Sequence, residues 1–208
     1  MTEQTQKKYE LLKDDTVNHH GRTLYRIKAL ITFGTVVAGE LGGYIETEKN
    51  LDHRGNAWVY GNARVYDNAE VYDNAWVYGN ARVCGNAEVY DNARVYDNAR
   101  VYDNARVYDN AEVYDNAWVY GDTLVYGDAL VRSFAVISER KMIFCASNVG
   151  PKNRTLTVFN GKYGLIVTRG CFTGTVDEFL SKSKEVHDDK THHEYKLLIE
   201  VAQSRILN

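Results

Sequence analysis

The sequence is poor in proline and cysteine and has no long apolar run. Its 208 residues include one proline and three cysteines. No segment approaches the roughly 20 consecutive apolar residues of a membrane-spanning helix, and the first residues lack the features of a signal peptide. Cys84, Cys145 and Cys171 are too far apart for the spacings of a metal site. We therefore expect a soluble cytoplasmic protein with no membrane association.

What the sequence has in abundance is one six-residue repeat. The pattern Asn-Ala-x-Val-Tyr-Asp/Gly, with few departures, occurs thirteen times without a gap from Asn56 to Ser133. In an extended strand, Ala and Val lie on one face, and the variable residue and Tyr lie on the other. Burying the second face would place Arg64 and Glu70 in the core without partners. Ala and Val are therefore predicted to line the interior, and the Asp/Gly-Asn pairs are predicted to form turns between strands.

A longer period is superimposed on the six-residue repeat. The variable position reads Trp58, Arg64, Glu70 and then repeats the same three residue types eighteen residues later. Three strands per turn would produce this period, so the sequence predicts a mainly β fold, a triangular parallel β-helix of about four turns. A recent duplication of an eighteen-residue unit would give the same pattern, and this alternative stays open.

The repeat resembles the hexapeptide motif of left-handed parallel β-helix proteins, in which an aliphatic residue is followed four residues later by a small one, as in Val59 and Ala63. The segment from Phe33 to Tyr60 resembles the opening of a bacterial family of hexapeptide-repeat acyltransferases of unassigned function. The whole layout, including the module from Gly170 to Phe179, is similar to phage and prophage accessory proteins. The resemblance implies a left-handed coil, whereas ordinary parallel crossovers are right-handed. The resemblance implies no established chemistry.

Three regions follow from composition and pattern. Residues 1–54 are predicted to form an N-terminal β cap, residues 55–133 the solenoid, and residues 134–208 a small α+β module. Their net charges are 0, −6 and +3. The flanking regions are expected to cover the unpaired strands at the two ends of the solenoid.

The flanks contain recognisable strand, turn and helix signals. Strands are predicted on both sides of a turn at His19-His20-Gly21, and a C-terminal hairpin is predicted across Asn160-Gly161. Thr175 and Thr191, each followed three residues later by glutamate, predict the starts of two helices through the capping box.

Stacking residues eighteen apart predicts two surfaces that would bind a partner. One is an exposed aromatic patch and the other is a file of cations that ends in tryptophan. The partner would be a host or phage protein, or a second copy of the chain in a homo-oligomer. The purely structural alternatives for these two features are a stacked tyrosine ladder and neutralised surface charge. The candidate residues are Trp58, Tyr60, Trp76 and Tyr78 in the patch, and Arg64, Arg82, Arg100 and Trp118 in the file.

Two further sets of charged residues suggest a link to nucleic acid. Regularly spaced aspartates of the repeats would form an acidic face that imitates a nucleic-acid backbone, although aspartate is also an ordinary turn residue. Basic residues of the C-terminal strands, with Phe159 and Tyr163 between them, would contact nucleic acid directly. The acidic set is Asp97, Asp103, Asp109 and Asp115, and the basic set is Lys152, Arg154, Lys162 and Arg169.

The sequence does not favour an enzyme. Acyltransferases with this architecture commonly use a histidine on the coils, and all six histidines of this chain lie outside the repeats. We therefore predict no catalytic residue, no cofactor and no metal site. The prediction is a non-enzymatic, phage-type interaction protein that acts as a host-directed or anti-defence inhibitor. The alternatives are a nucleic-acid mimic or nucleic-acid-binding accessory protein, and a hexapeptide-repeat acyltransferase.

Overall fold

The structure, a computed structural model, describes residues 6–206. An N-terminal antiparallel sheet leads into a coil of short parallel strands, and a four-stranded antiparallel sheet with two helices follows. Neither helix in the described part of the chain combines the length and the apolar character that crossing a bilayer requires.

The N-terminal sheet contains three strands, β1 (Tyr9–His19), β2 (Arg22–Ala29) and β3 (Leu41–Ile45). β1 and β2 are antiparallel, and the turn between them contains His20 and Gly21, both with positive φ. This confirms the predicted turn. β1 continues past an irregularity between Leu12 and Thr16.

The coil consists of two-residue strands that pair in parallel with the strands one turn before and one turn after them. They are, in chain order, β4 Trp58–Val59, β5 Arg64–Val65, β6 Glu70–Val71, β7 Trp76–Val77, β8 Arg82–Val83, β9 Glu88–Val89, β10 Arg94–Val95, β11 Arg100–Val101, β12 Arg106–Val107, β13 Glu112–Val113, β14 Trp118–Val119, β15 Leu124–Val125, β16 Leu130–Val131 and β17 Val136–Ile137. Partners are eighteen residues apart, as in the pairing of Val65 with Val83.

Every third strand belongs to the same face. Face 1 contains β4, β7, β10, β13 and β16, face 2 contains β5, β8, β11, β14 and β17, and face 3 contains β6, β9, β12 and β15. The predicted three-sided parallel coil is confirmed. It has one strand more than the thirteen repeats, because β17 continues the coil beyond Ser133 and brings it to nearly five turns. The hand of the coil stays a prediction from the resemblance.

The interior is lined by the alanines and valines of the repeats, as predicted. From Ala57 to Val119 every one of them is fully buried. The one polar substitution is Thr123, which takes the place of an alanine. Its hydroxyl donates a hydrogen bond of 2.7 Å to the carbonyl oxygen of Tyr120, so its burial leaves no unpaired polar group.

The corners are formed by the Asp or Gly residue and the following Asn. Seven corner aspartates of the repeats have φ near +57°, the left-handed conformation that Asp adopts more readily than most residues. The asparagines form ladders along the coil, in which the Asn68 amide donates to Asn86 at 3.1 Å and the Asn86 amide donates to Asn104 at 3.0 Å. Each corner thus helps to hold the next coil in register.

The N-terminal region closes the first coil. Because backbone amides donate toward the following turn, the carbonyl oxygens of the first turn need other donors. β3 supplies some of them by pairing with β5, and the side chain of Asn50 donates to the carbonyl oxygens of Asp67 and Ala69. The ammonium of Lys8, which is buried, donates to Ala57 at 2.9 Å. Burial lowers the pKa of Lys8 to about 8, so it remains largely protonated at neutral pH.

The C-terminal region covers the opposite end. Its sheet contains β18 (Ile143–Val149), β19 (Arg154–Gly161), β20 (Gly164–Arg169) and β21 (Phe172–Thr175). The hydroxyl of Thr168 donates to the carbonyl oxygen of Leu130 at 2.6 Å, and the hydroxyl of Thr157 accepts from the amide of Leu130 at 3.3 Å. The hairpin turns at residues 162 and 163, since Gly161 pairs with Gly164, so the predicted turn at Asn160-Gly161 was wrong.

Two helices pack on this sheet, α1 (Val176–Val186) and α2 (Asp189–Ile206). The predicted capping box of Thr175 and Glu178 is present at the start of α1. The one predicted at Thr191 was wrong. Asp188, three residues earlier, accepts a hydrogen bond of 2.8 Å from the Thr191 amide, and α2 begins at once. Glu194 is thereby free to accept from the amide of Gly150.

Candidate interaction surfaces

Trp58 is buried, so its predicted place in an exposed patch was wrong. It pairs in register with Trp76 on face 1, but its side chain has no exposed surface. The rings of Phe33 and Tyr9 lie against it, with centroids 5.4 Å and 6.1 Å away. The N-terminal region folds over the first coil, and Trp58 becomes part of the core there.

The rest of the predicted aromatic patch is accessible. Trp76 is half-buried, and its ring lies 5.1 Å from that of Tyr60. Tyr78 and Arg94 line the same groove, which we call the Trp76 groove and which has a volume of about 580 Å³. Glycine occupies the adjoining corners, so no side chain covers the groove there.

The predicted file of arginines runs along face 2. Arg64, Arg82, Arg100 and Trp118 pair successively in register. The Arg64 guanidinium lies 2.9 Å from Nδ1 of His19. Burial, reinforced by the charge of Arg64, lowers the pKa of His19 to about 4, so the neutral imidazole accepts a hydrogen bond at neutral pH.

The other two arginines of this file have no ion-pair partner in residues 6–206. No carboxylate of that part of the chain lies within 4.0 Å of Arg82 or Arg100. The Arg100 guanidinium instead lies 4.8 Å above the ring of Trp118, in a cation–π contact. Both side chains are half-buried, and neither charge is neutralised by a carboxylate of residues 6–206.

A second groove lies where face 2 meets the C-terminal hairpin, and we call it the Trp118 groove. It has a volume of about 520 Å³ and is lined by Arg100, Trp118, Phe134 and Lys162, among others. Trp118 is 41% exposed, Phe134 is 50% exposed, and the adjacent Tyr163 is 80% exposed. The ring of Tyr163 meets that of Phe134 edge-on at 6.0 Å. This is the most exposed aromatic cluster that the structure describes.

Sequence reasoning named the parts of this groove separately and missed Phe134. The amide of Lys162 donates to the carbonyl oxygen of Phe134 at 2.9 Å, which joins the hairpin to the last coil. One signal was available: Phe134 occupies the position that Asn or Asp holds in the thirteen repeats. A large apolar residue at a solvent-exposed corner indicates a contact with something beyond the coil.

The tyrosines of the repeats form stacked ladders, as the purely structural alternative predicted. Rings one turn apart are nearly parallel, with Tyr78 and Tyr96 4.7 Å apart and Tyr96 and Tyr114 4.7 Å apart. The Tyr96 hydroxyl donates to Glu112 at 2.8 Å, and burial, together with this carboxylate, raises the pKa of Tyr96. These rings stiffen the coil and cover its backbone.

Comparison with known proteins supports this architecture. The family model for the YdcK beta solenoid repeat matches six segments in two overlapping sets, at residues 57–73 and 63–79, and at residues 87–103, 93–109, 99–115 and 105–121. The chain is a repeat β-solenoid protein. All the matches lie within the coil, so they do not include the Trp118 groove's Phe134 and Lys162. No curated protein matches the chain.

The four aspartates of the proposed acidic face do not share a face of the solenoid. Asp97 and Asp115 stack at the corner between faces 1 and 2, whereas Asp103 and Asp109 lie at the two other corners, because consecutive repeats occupy consecutive sides. The carboxylate of Asp109 accepts a hydrogen bond of 3.0 Å from the amide of Gly127. The structure therefore gives these residues a role at the corners and does not assemble the predicted acidic face.

The basic residues of the C-terminal module are also divided. Arg169 turns inward, where it donates to the carbonyl oxygen of Val149 and lies over the ring of Tyr195. Lys152 and Arg154 are exposed before and at the start of β19, whereas Lys162 follows the other end of that strand. Only Lys162 belongs to an aromatic groove.

The solenoid protein has no cluster of three or more His, Cys, Asp or Glu side chains that could hold a metal ion within residues 6–206. Burial raises the pKa of the Cys145 thiol to about 11 and also raises that of Cys84. Both thiols are therefore protonated at neutral pH, the form that is the weaker nucleophile.

Proposed function

We propose that this β-solenoid protein is a non-enzymatic interaction protein that binds a macromolecular partner through the Trp118 groove. The observation that carries the proposal is the exposure of Trp118, Phe134 and Tyr163 beside two cations without ion pairs. Aromatic residues and arginine dominate the energetics of protein interfaces. The ladders hold Trp118 on a rigid surface, so little conformational entropy is lost on binding.

The nature of the partner follows from the resemblance to phage and prophage accessory proteins. On that ground we propose a host protein in the bacterial cytoplasm, with inhibition of a defence system as the outcome of binding. The Trp76 groove is the corresponding candidate for self-association into a homo-oligomer. Nucleic-acid binding is the second candidate function, because the Trp118 groove combines cations with aromatic rings. For an acyltransferase, the coils offer no histidine to act as a base.

The proposal is tested with two matched pairs of variants. Trp118→Ala and Lys162→Glu alter the groove. Tyr126→Ala and Lys152→Glu are the controls, which remove an exposed aromatic ring and reverse an exposed lysine outside the groove. Proteins that the wild type captures from a bacterial lysate are purified, and their affinities are measured directly by biolayer interferometry.

We expect each groove variant to weaken the partner's affinity by at least about tenfold, the loss that corresponds to about 1.4 kcal/mol. The control variants should stay within about twofold of the wild type, since surface truncations away from a hot spot are nearly neutral. Equal affinities for all five proteins would refute the groove as the binding site.

A further inference from the structure

We infer that the Trp118 groove binds an acidic polypeptide segment that carries an apolar side chain between its carboxylates. The inference rests on the proposed function and deepens it by naming the chemistry of the partner. It draws on three features of the groove, which are its uncompensated cations, its apolar floor and its acidic border.

Two cations, Arg100 and Lys162, line the groove. Arg82 and Arg100 project from adjacent coils of one face, and strands in a sheet are about 4.8 Å apart. Like charges at this separation repel each other, and no carboxylate in residues 6–206 pairs with either. Lys162, across the groove, also lacks an ion pair in that range and is 5.2 Å from the ring of Tyr163. A ligand that brings carboxylates to both sides of the groove would neutralise Arg100 and Lys162. It would also lessen the repulsion between Arg100 and Arg82, which lies one turn away and outside the lining of the groove.

The apolar surface lies between these cations. Val136 and the rings of Trp118 and Phe134 contribute to it, and its lining is more apolar than polar. Phe134 and Tyr163 meet at an angle of 74°, which forms an apolar corner. Such a corner accommodates an aliphatic or aromatic side chain, whereas a nucleobase stacks best on a parallel ring.

The border of the groove discriminates against a polyanion. Asn98 and Asn116 line the groove, and each follows a corner aspartate, Asp97 or Asp115. A nucleic-acid strand carries a charge on every nucleotide and would bring phosphates close to these carboxylates. A peptide can place its few carboxylates opposite Arg100 and Lys162 alone.

The size of the groove limits the length of the segment. A volume of about 520 Å³ lies in the range of sites for small ligands. The groove therefore suits a short linear segment of a few residues, which a partner would present from a loop or a tail.

The experiment measures fluorescence anisotropy with labelled probes of defined chemistry. The acidic probe is a short peptide in which glutamate alternates with leucine, and its two counterparts contain glutamine or lysine in place of glutamate. A labelled oligothymidylate of similar length represents single-stranded nucleic acid. The full chain is titrated against each probe, as wild type and as the four variants described above.

We expect the glutamate peptide to bind at least about tenfold more tightly than the glutamine peptide, and more weakly as salt is raised. Trp118→Ala and Lys162→Glu should each reduce this affinity by about tenfold, and Tyr126→Ala and Lys152→Glu should not. Lys162→Glu should also improve binding of the lysine peptide. That gain cannot arise from misfolding.

Equal binding of the glutamate and glutamine peptides, or binding of none, would overturn the inference. Tighter binding of oligothymidylate that is lost in the same groove variants would also overturn it and would identify a nucleic-acid surface instead. Either result leaves the proposed function standing if partner capture still depends on Trp118. If capture does not depend on Trp118, the proposed function fails, whatever the peptides do.

Discussion

At the scale of single residues, the environment of a side chain in the coil depends on where its turn lies. Trp58, Trp76 and Trp118 occupy the same position of the repeat, yet the first is buried, the second is half-buried and the third is exposed. The indole N–H of Trp58 is buried without a hydrogen-bond partner among the described residues. Burial of this residue therefore gains apolar contacts with the N-terminal region and loses one hydrogen bond to water.

The tryptophans provide a direct test of the N-terminal cap. Trp58→Ala should lower the free energy of unfolding by about 3–5 kcal/mol, the usual cost of removing a large aromatic from a core. Trp76→Ala, one turn along the same face, should cost about 1 kcal/mol, because its side chain remains partly in water. Urea denaturation followed by circular dichroism measures both values. Similar losses in the two variants would contradict the burial of Trp58.

At the scale of elements, the ladders explain why strands of two residues suffice. Each such strand makes only a few backbone hydrogen bonds, but the tyrosine beside it stacks on the rings of neighbouring turns at 4.7–5.4 Å. The ladder beside face 2 has a gap, because Cys84 stands between Tyr66 and Tyr102. Tyr102 and Tyr120 stack at 4.8 Å beyond it.

Filling this gap should stabilise the coil. Cys84→Tyr places a ring between those of Tyr66 and Tyr102, and each aromatic pair contributes about 0.5–1.5 kcal/mol beyond its buried area. We expect a gain of about 1 kcal/mol or more in the free energy of unfolding. Cys84→Ser, which adds no ring, is the control for loss of the thiol. Thermal denaturation of the two variants measures the difference in stability. A Tyr variant that is no more stable than the Ser variant would argue against the ladder as a source of stability.

At the scale of the whole molecule, the two ends of the coil differ in how they are covered. Lys8 and Asn50 donate to carbonyl oxygens at the first turn, and threonine hydroxyls satisfy polar groups of Leu130 at the last. Both ends thus have side-chain partners for backbone groups that would otherwise invite another chain to pair with them. Between these ends, the ladders extend through the molecule and should make it respond to pH as one unit.

The solenoid should be sensitive to alkali. Burial raises the pKa above the usual value of about 10 for seven stacked tyrosines, which are Tyr72, Tyr78, Tyr90, Tyr96, Tyr102, Tyr108 and Tyr114. The stability contributed by a group with a raised pKa is fully present below about pH 10 and is lost as the pH rises through the folded-state value. Lys8 has the opposite effect, because its lowered pKa makes the stability rise with pH between about pH 8 and pH 10.5. It is a single group, however.

We therefore expect cooperative unfolding above about pH 10, measured by circular dichroism together with tyrosinate absorbance. Replacing Tyr90 and Tyr108 with Phe keeps the stacking and removes two of the titrating hydroxyls, so it should move the transition to higher pH. Matching transitions in the wild type and this double variant would exclude the ladder tyrosines as its cause.

Much of the coil could be predicted from the sequence, whereas the candidate site could be predicted only in fragments. The period of eighteen placed Arg100 next to Trp118, and their contact follows from regular geometry. Phe134 and Lys162 meet because the hairpin of the C-terminal sheet turns at residues 162 and 163, and the sequence suggested a different turn. Grooves between separate elements depend on such docking, which a repeat pattern does not encode.

The sequence by itself determined the alternation that buries alanine and valine, and its period of eighteen predicted the three strands per turn and the stacked tyrosines. Each of these is a periodic property, and parallel pairing one turn apart converts the period directly into contacts. Only the tertiary structure decided that Trp58 is covered, that the corner aspartates lie on three separate edges, and that Trp118 opens into a groove. These outcomes depend on how the non-repeating ends pack on the coil, and packing between distant segments is set by shape and by unpaired backbone groups.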